Sequence, residues 1–177
     1  MKRILTILAA LLLAAVCMLA QEKNTEVKSH FNFTAEINMS ASEYSKAGTN
    51  FGIFGFTANP GYRFNDNWTL YVPISSDIVL MNRLSTRNYV EQATIGLGGK
   101  YQFNMKDHMA LGFSLSGGST YLKSDLNYFK AKAAVILGFH GIGSAPYVSV
   151  GCTYMNPYQS MMKDRVLFEC SLGFAFF

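Results

Sequence analysis

Seven ionisable residues, Glu36, Arg63, Asp77, Lys100, Lys130, Lys132 and Glu169, lie within stretches that otherwise carry little charge. If the chain brings the three carboxylates to the amines, the first chemistry open to them is a paired network that compensates buried charge. A gate or proton-linked switch is the functional alternative, motivated by the acids Glu36 and Glu169. Ser75-Ser76-Asp77 places a hydroxyl beside a carboxylate, but nucleophilic work also needs a base. The histidines His30, His108 and His140 are scattered, and their neighbours supply no metal-ligand spacing, so no metal or other cofactor is expected.

These side chains must be positioned by whatever follows an N-terminal leader. Met1-Lys2-Arg3 is basic, Ile4 to Ala20 is apolar, and Gln21-Glu22-Lys23 is polar again, the three-part pattern of a secretory signal. Residues 1–20 are read as a cleavable signal peptide cut after Ala20, although Met18 is bulky for its offset. An uncleaved anchor is the rival, disfavoured by the short apolar run and the lack of a stop-transfer pattern. Cys17 could be a lipoprotein acylation site, but Val16 stands where that motif wants a small residue. Residues 21–29 form a polar lead-in expected to be disordered, and residues 30–177 form one domain. After export Cys152 and Cys170 could bridge or stay apart; directly opposed strand pairs rarely suit disulfide geometry, which favours the unpaired state.

Charged residues make up only 15% of the chain while aromatics reach 14%, so something other than water is expected to solvate much of the surface. The net charge of +4 is too modest to argue for nucleic acid. Past the leader no apolar run approaches the ~20 residues of a membrane helix, whereas strict alternation recurs. From Phe31 the odd positions are apolar (Phe31, Phe33, Ala35, Ile37, Met39) and the even ones polar (Asn32, Thr34, Glu36, Asn38, Ser40). Seven later segments repeat this, giving eight strands, each about the 9–11 residues a tilted strand needs to cross a bilayer.

A soluble lipocalin-like barrel would alternate too, with its faces reversed. Side-chain bulk separates the two. The apolar phase is packed with Phe, Tyr, Leu and Ile. The polar phase is small, as in Gly112, Ser114, Ser116, Gly118 and Thr120, and contains all seven charges above. A Lys or Arg facing lipid at midplane costs about 2–4 kcal/mol, so the polar phase is assigned to the lumen. Tyr62, Phe64, Trp68, Tyr101 and Phe103 gather near one set of turns, and Tyr121, Phe129 and Tyr154 near the other, as two interfacial girdles would. General strand propensity of aromatics is the plainer reading.

Tight turns are expected at Asn65-Asp66-Asn67, Asn104 to His108, and Gly141 to Ser144. Longer polar loops are expected at Ser42 to Asn50, Asn82 to Val90, Leu122 to Asn127, and Met155 to Asp164. Short turns face the periplasm in such barrels, which puts both termini there. Pro60 and Pro73 fall opposite each other and predict a bulge or weakened seam between strands two and three. The outer loops carry Lys46, Arg83, Arg87, Lys123, Lys163 and Arg165 against Glu43, Glu91, Asp125 and Asp164, a slight basic excess that suits surface glycolipid. Tyr158, Met161 and Met162 form an apolar loop tip and a candidate partner contact.

Over residues 31–177 the chain resembles the small eight-stranded outer-membrane barrels that include outer membrane protein X and the transmembrane domain of outer membrane protein A. The resemblance lies in strand number, in the aromatic-flanked turn Phe64-Asn65-Asp66-Asn67-Trp68, and in a last strand with Phe168, Cys170, Leu172, Phe174 and Phe176 in one phase. It implies a Gram-negative outer-membrane location and engagement of the barrel-assembly machinery through Phe168, Leu172, Phe174 and Phe176. The family's terminal aromatic usually ends the outward phase, whereas Phe177 follows Phe176 here. Similar-sized lipid A palmitoyltransferases and deacylases place a catalytic His with Ser near the outer side, and no outer loop here contains a His, which argues against an enzyme. The palmitoyltransferases also carry prolines flanking a lateral opening.

The sequence therefore predicts an all-β chain: an eight-stranded antiparallel up-and-down transmembrane β-barrel preceded by a cleavable signal peptide. The role expected of it is non-enzymatic, envelope-structural or surface-binding through the outer loops. A small porin-like channel or hydrophobic-ligand conduit, and a lipid A-modifying enzyme, are the alternatives. Expected partners are outer-membrane lipid and lipopolysaccharide, the assembly machinery and an extracellular partner at the loops, with the barrel a monomer.

Overall fold

The computed structural model describes residues 30–42, 49–65, 67–83, 86–105, 109–121, 126–139, 144–158 and 164–176. The leader and the lead-in lie outside them. Nine β-segments follow in chain order: β1 (His30–Ser42), β2 (Thr49–Arg63), β3 (Trp68–Tyr71), β4 (Ile74–Arg83), β5 (Thr86–Met105), β6 (Met109–Thr120), β7 (Tyr128–Phe139), β8 (Ser144–Pro157) and β9 (Arg165–Phe176). β3 and β4 are two halves of one barrel strand. Eight strands thus close an antiparallel barrel, with β1 paired to β2 on one side and to β9 on the other. Closure leaves no sheet edge unpaired.

The period of two sorts the side chains as the sequence anticipates. Phe31, Ile37, Met39, Phe168 and Leu172 face outward and are more than half exposed, while their neighbours Asn32, Thr34, Asn38 and Ser171 are buried. The terminal end holds His30 and Phe176; the loop end holds the hairpins β1–β2, β4–β5, β6–β7 and β8–β9.

At the terminal end Asn65 builds its turn with its own side chain. Its Oδ1 accepts from the backbone N–H of Asn67 at 2.9 Å and of Trp68 at 2.7 Å, and Asn67 Nδ2 donates to the Gln102 carbonyl at 2.8 Å. Asn and Asp favour such turns because the side chain replaces a backbone acceptor.

Three local expectations are corrected. No bulge accompanies the prolines: Gly61 faces Tyr71 and Ala58 faces Ile74, while Tyr71 faces Gly98 and Ile74 faces Ile95, so no strand gains a residue over its partner. The prolines instead remove single ladder bonds. The Val72 N–H donates to the Pro60 carbonyl at 2.9 Å and the Gly96 N–H to the Pro73 carbonyl at 3.0 Å, but a proline nitrogen cannot return either bond.

Second, Asn82 to Val90 is not a long loop. β4 and β5 stay paired out to Arg83 and Thr86, whereas β5 and β6 part at Thr94 and Thr120, so the β4–β5 hairpin projects past its neighbour. Glu91, expected in that loop, therefore lies in β5 in the outward phase opposite Ile78. A hairpin needs only one partner strand, so its polar outer half still forms a ladder. Third, the segment Leu122 to Asn127 is not wholly polar and external, because Leu126 is only 2% exposed.

Candidate functional site

The lumen is where chemically capable residues converge, and it is organised in layers. At mid-height Lys132, on β7, reaches across to β9 and β1. Its Nζ lies 2.6 Å from Glu169 Oε1 and 3.5 Å from Glu36 Oε1. Lys130, one inward position nearer the loop end, pairs with Asp77 Oδ2 at 3.5 Å. Neutral donors add to each carboxylate: Thr153 Oγ1 donates to Glu169 at 2.5 Å, Asn59 Nδ2 and Ser171 Oγ to Glu36 at 3.2 Å each, and Ser75 Oγ to Asp77 at 2.9 Å, while Asp77 Oδ1 has no hydrogen-bond partner among the described residues. Buried charge persists only when paired and hydrogen-bonded in this manner.

Glycine makes room for the layer. Gly55 faces Asp77 across the β2–β4 seam, and a Cβ there would stand 2.1 Å from Asp77 Oδ1 and 2.7 Å from Asn38 Oδ1. Nearer the terminal end the Tyr147 ring lies over Gly173, where a Cβ would meet Tyr147 Cζ at 2.3 Å.

Above the ions, toward the loop end, the lumen turns apolar. Phe51, Ile53, Val79, Leu126, Tyr128, Met155 and Leu167 form one buried cluster, with Met81 and Val90 packed against it. Gln92 Nε2 donates to the Leu126 carbonyl, tying Leu126 to β5. Arg165 stacks on the Phe51 ring at 5.3 Å. Sequence reasoning missed this layer. Its signal was present, since Phe51, Ile53, Val79 and Met81 interrupt the otherwise polar inward phase near the loops.

Of the seven charges singled out from the sequence, five make these ion pairs. Lys100 and Arg63 lie lower, one cross-strand row apart from each other through Thr69. A cavity of about 100 Å³ runs beside the ionic layer, lined by Lys100, Glu36, Lys132 and Glu169 together with Tyr71 and Tyr147 among others.

The remaining candidates are placed as follows. Tyr62 contacts Phe64 at 5.1 Å, and Trp68, Tyr101, Phe103 and Phe113 form a continuous run of rings with centroids 4.9 to 6.1 Å apart at the terminal end. Tyr121, Phe129 and Tyr154 sit toward the loop end, with Tyr121 and Tyr154 exposed. Phe168, Leu172, Phe174 and Phe176 all face outward, and Phe176 stacks on Phe33 at 5.9 Å where the barrel closes. Cys152 and Cys170 are free, each opposite another residue, Phe168 and Val150 respectively. Tyr158 is exposed and its hydroxyl bonds Ser119 Oγ at 2.6 Å; Met161 and Met162 lie outside the described residues. So do His108, His140 and the His30 side chain.

Ser75 points into the lumen and Ser76 outward, so the two hydroxyls are not presented together. The Ser75 hydroxyl donates to Asp77, whose carboxylate is also paired with Lys130. The Ser75 hydroxyl is thus engaged in the ion-pair layer. Among the described residues no group of three or more His, Cys, Asp or Glu could hold a metal ion.

A closed eight-stranded barrel with an apolar exterior and a lumen that holds ion pairs below an apolar cluster is the class these features define. One solved structure agrees on the fold, and two others are similar at lower scores. Neisserial surface protein A matches with a TM-score of 0.55 at 16% identity, over 84% of this chain and 97% of that one. The N-terminal β-barrel domain of Pseudomonas aeruginosa OprF gives 0.41 at 15% identity, over 83% and 100%. Yersinia pestis outer membrane protein Ail gives 0.44 at 12%, over 83% and 100%. No family model matches the chain, and neither does any curated protein.

Proposed function

We propose that this chain is a non-enzymatic barrel of a Gram-negative outer membrane, serving an envelope-structural or surface-binding role through the loop end. Residues 1–20 are removed on export, 21–29 remain as a lead-in, and both termini of the 30–177 barrel face the periplasm. The observation that carries the reading is the pairing of an apolar exterior with a lumen that holds ion pairs at mid-height and an apolar cluster above them. The first favours a lipid surround; the second disfavours a diffusion path. The likeness to a protein named for the Neisserial surface is consistent with this setting. Lipopolysaccharide then surrounds the loop end, the outward aromatic series of β9 addresses the barrel-assembly machinery, and Tyr158, Met161 and Met162 offer a contact for an external partner.

Reconstitution into planar bilayers tests the closed lumen, with no discrete conductance steps expected. Comparison of wild type with Met161→Ser/Met162→Ser in host-cell, complement and phage binding tests the loop. Stepwise conductance by the wild type would replace this reading with that of a channel.

A further inference from the structure

Two buried polar atoms in the lumen lack a hydrogen-bond partner among the described residues. Thr69 is 3% exposed with its Oγ1 unpartnered, and Asn59 is 5% exposed with its Oδ1 unpartnered. The Asn59 amide is not free to turn over, because its Nδ2 already donates to Glu36 Oε1 and to Thr34 Oγ1, each at 3.2 Å. Native proteins seldom leave such groups unmade, and buried water is a usual partner.

Both residues line the same cavity of about 100 Å³, several times the ~15 Å³ that one water requires. The register shows how far it runs. Toward the terminal end it is lined by Asn32 and Gln102, and at the other extreme by Gly118 and by Thr94, which stands in the last pair of the β5–β6 ladder. Glu36, Glu169, Lys130 and Lys132 line it in between, so it passes the ion pairs instead of stopping below them. There it ends. Tyr128, whose N–H donates to Thr120 Oγ1 at 3.1 Å beside Thr94, opens the buried apolar cluster, and no member of that cluster lines the cavity.

We propose that the lumen is a blind half-channel in which water entering from the terminal end bridges Thr69, Asn59 and the ion pairs and delivers protons to Glu36 and Glu169 from that side alone. Hydrogen-bonded water passes protons by exchanging covalent and hydrogen bonds, which needs no room for a hydrated ion, so the lumen stays closed to ions. The groups facing the two acids are Lys130 and Lys132 from β7, Lys100 from β5, Tyr71 from β3 and Tyr147 from β8. A proton reaching either acid loosens its hold on Lys132, so the strands that close the barrel answer to the terminal compartment. The apolar cluster gives a file of water too few hydrogen-bond partners to continue, which insulates the acids from the loop side.

Hydroxyl-radical labelling of the folded wild type in lipid vesicles, with heavy-oxygen water mixed in just before the pulse, reads which side chains touch exchanging water. Tyr71 and Tyr147 should be labelled and carry the heavy oxygen, while Tyr128 and Met155 should stay unlabelled although methionine oxidises more readily than tyrosine. Protection of Tyr71 and Tyr147 to the level of Tyr128 would mean a dry lumen, and equal labelling of Met155 would mean one that is not blind; either overturns the half-channel. Infrared carboxyl bands, taken as the difference between wild type and Glu36→Gln/Glu169→Gln, read the sidedness of the protons, and the wild-type labelling decides alone if that variant does not fold. In vesicles with the loop end outward, acidifying the outside should leave these bands unchanged until a protonophore carries the acid inside, whereas Phe51→Ala/Met155→Ala should respond without it. A wild-type response before the protonophore, or none after it, would overturn one-sided delivery. Ion conductance and loop binding are separate readouts, so failure here leaves the proposed function standing.

Discussion

The ammonium of Lys132 lies 2.6 Å from Glu169 Oε1, a contact that ties β7 to β9 across the interior. Because Glu36 shares the same ammonium at 3.5 Å, one lysine compensates two carboxylates on the strands that close the barrel. Lys132→Ala leaves both buried without it. Removing one member of a buried pair costs about 3–5 kcal/mol, a large part of a typical fold stability. Thermal unfolding in detergent should fall markedly, and Lys132→Met with Glu36→Gln and Glu169→Gln should recover much of the loss. An unchanged midpoint for Lys132→Ala would remove the network from the account.

Gly55 tests whether the niche beside Asp77 matters. Valine there would drive carbon into the Asp77 and Asn38 side chains and toward the Ser76 carbonyl, 3.0 Å from the Cβ position. Overpacking of this kind costs about 1–3 kcal/mol. Gly55→Val should unfold earlier than wild type, and adding Asp77→Ala should lessen the difference, as a double-mutant cycle would read.

Two closures in series predict a conditional phenotype. Phe51→Ala with Met155→Ala hollows the apolar cluster but leaves the ion pairs, and should stay non-conducting in planar bilayers. Adding Lys132→Ala and Glu169→Ala should produce discrete conductance steps. Full conductance from the apolar pair alone would show that the ionic layer does not block.

Much of this was legible because a strand's side chains alternate strictly: the closed barrel and the inward placement of the charges follow from which phase carries Phe168 and which Glu169. What the alternation could not tell is height within the lumen. Phe51 and Val79 share a phase with Thr57 and Asp77, and only the register places the apolar members in one layer. Leu126 was illegible for another reason: it lies between strands, and its burial depends on a contact from Gln92 remote in sequence. Glu91 was misplaced because a polar stretch reads as loop even where a single neighbouring strand suffices to pair it.

Cys152 and Cys170 allow the central claim to be measured without introducing a residue, since both are free and face outward from β8 and β9. In lipid vesicles, nitroxide labels on them should be relaxed strongly by dissolved oxygen and weakly by a water-soluble nickel chelate, as for sites in hydrocarbon. Strong relaxation by the chelate with weak relaxation by oxygen would mean that this face meets water, and the membrane barrel would be the wrong description of the molecule.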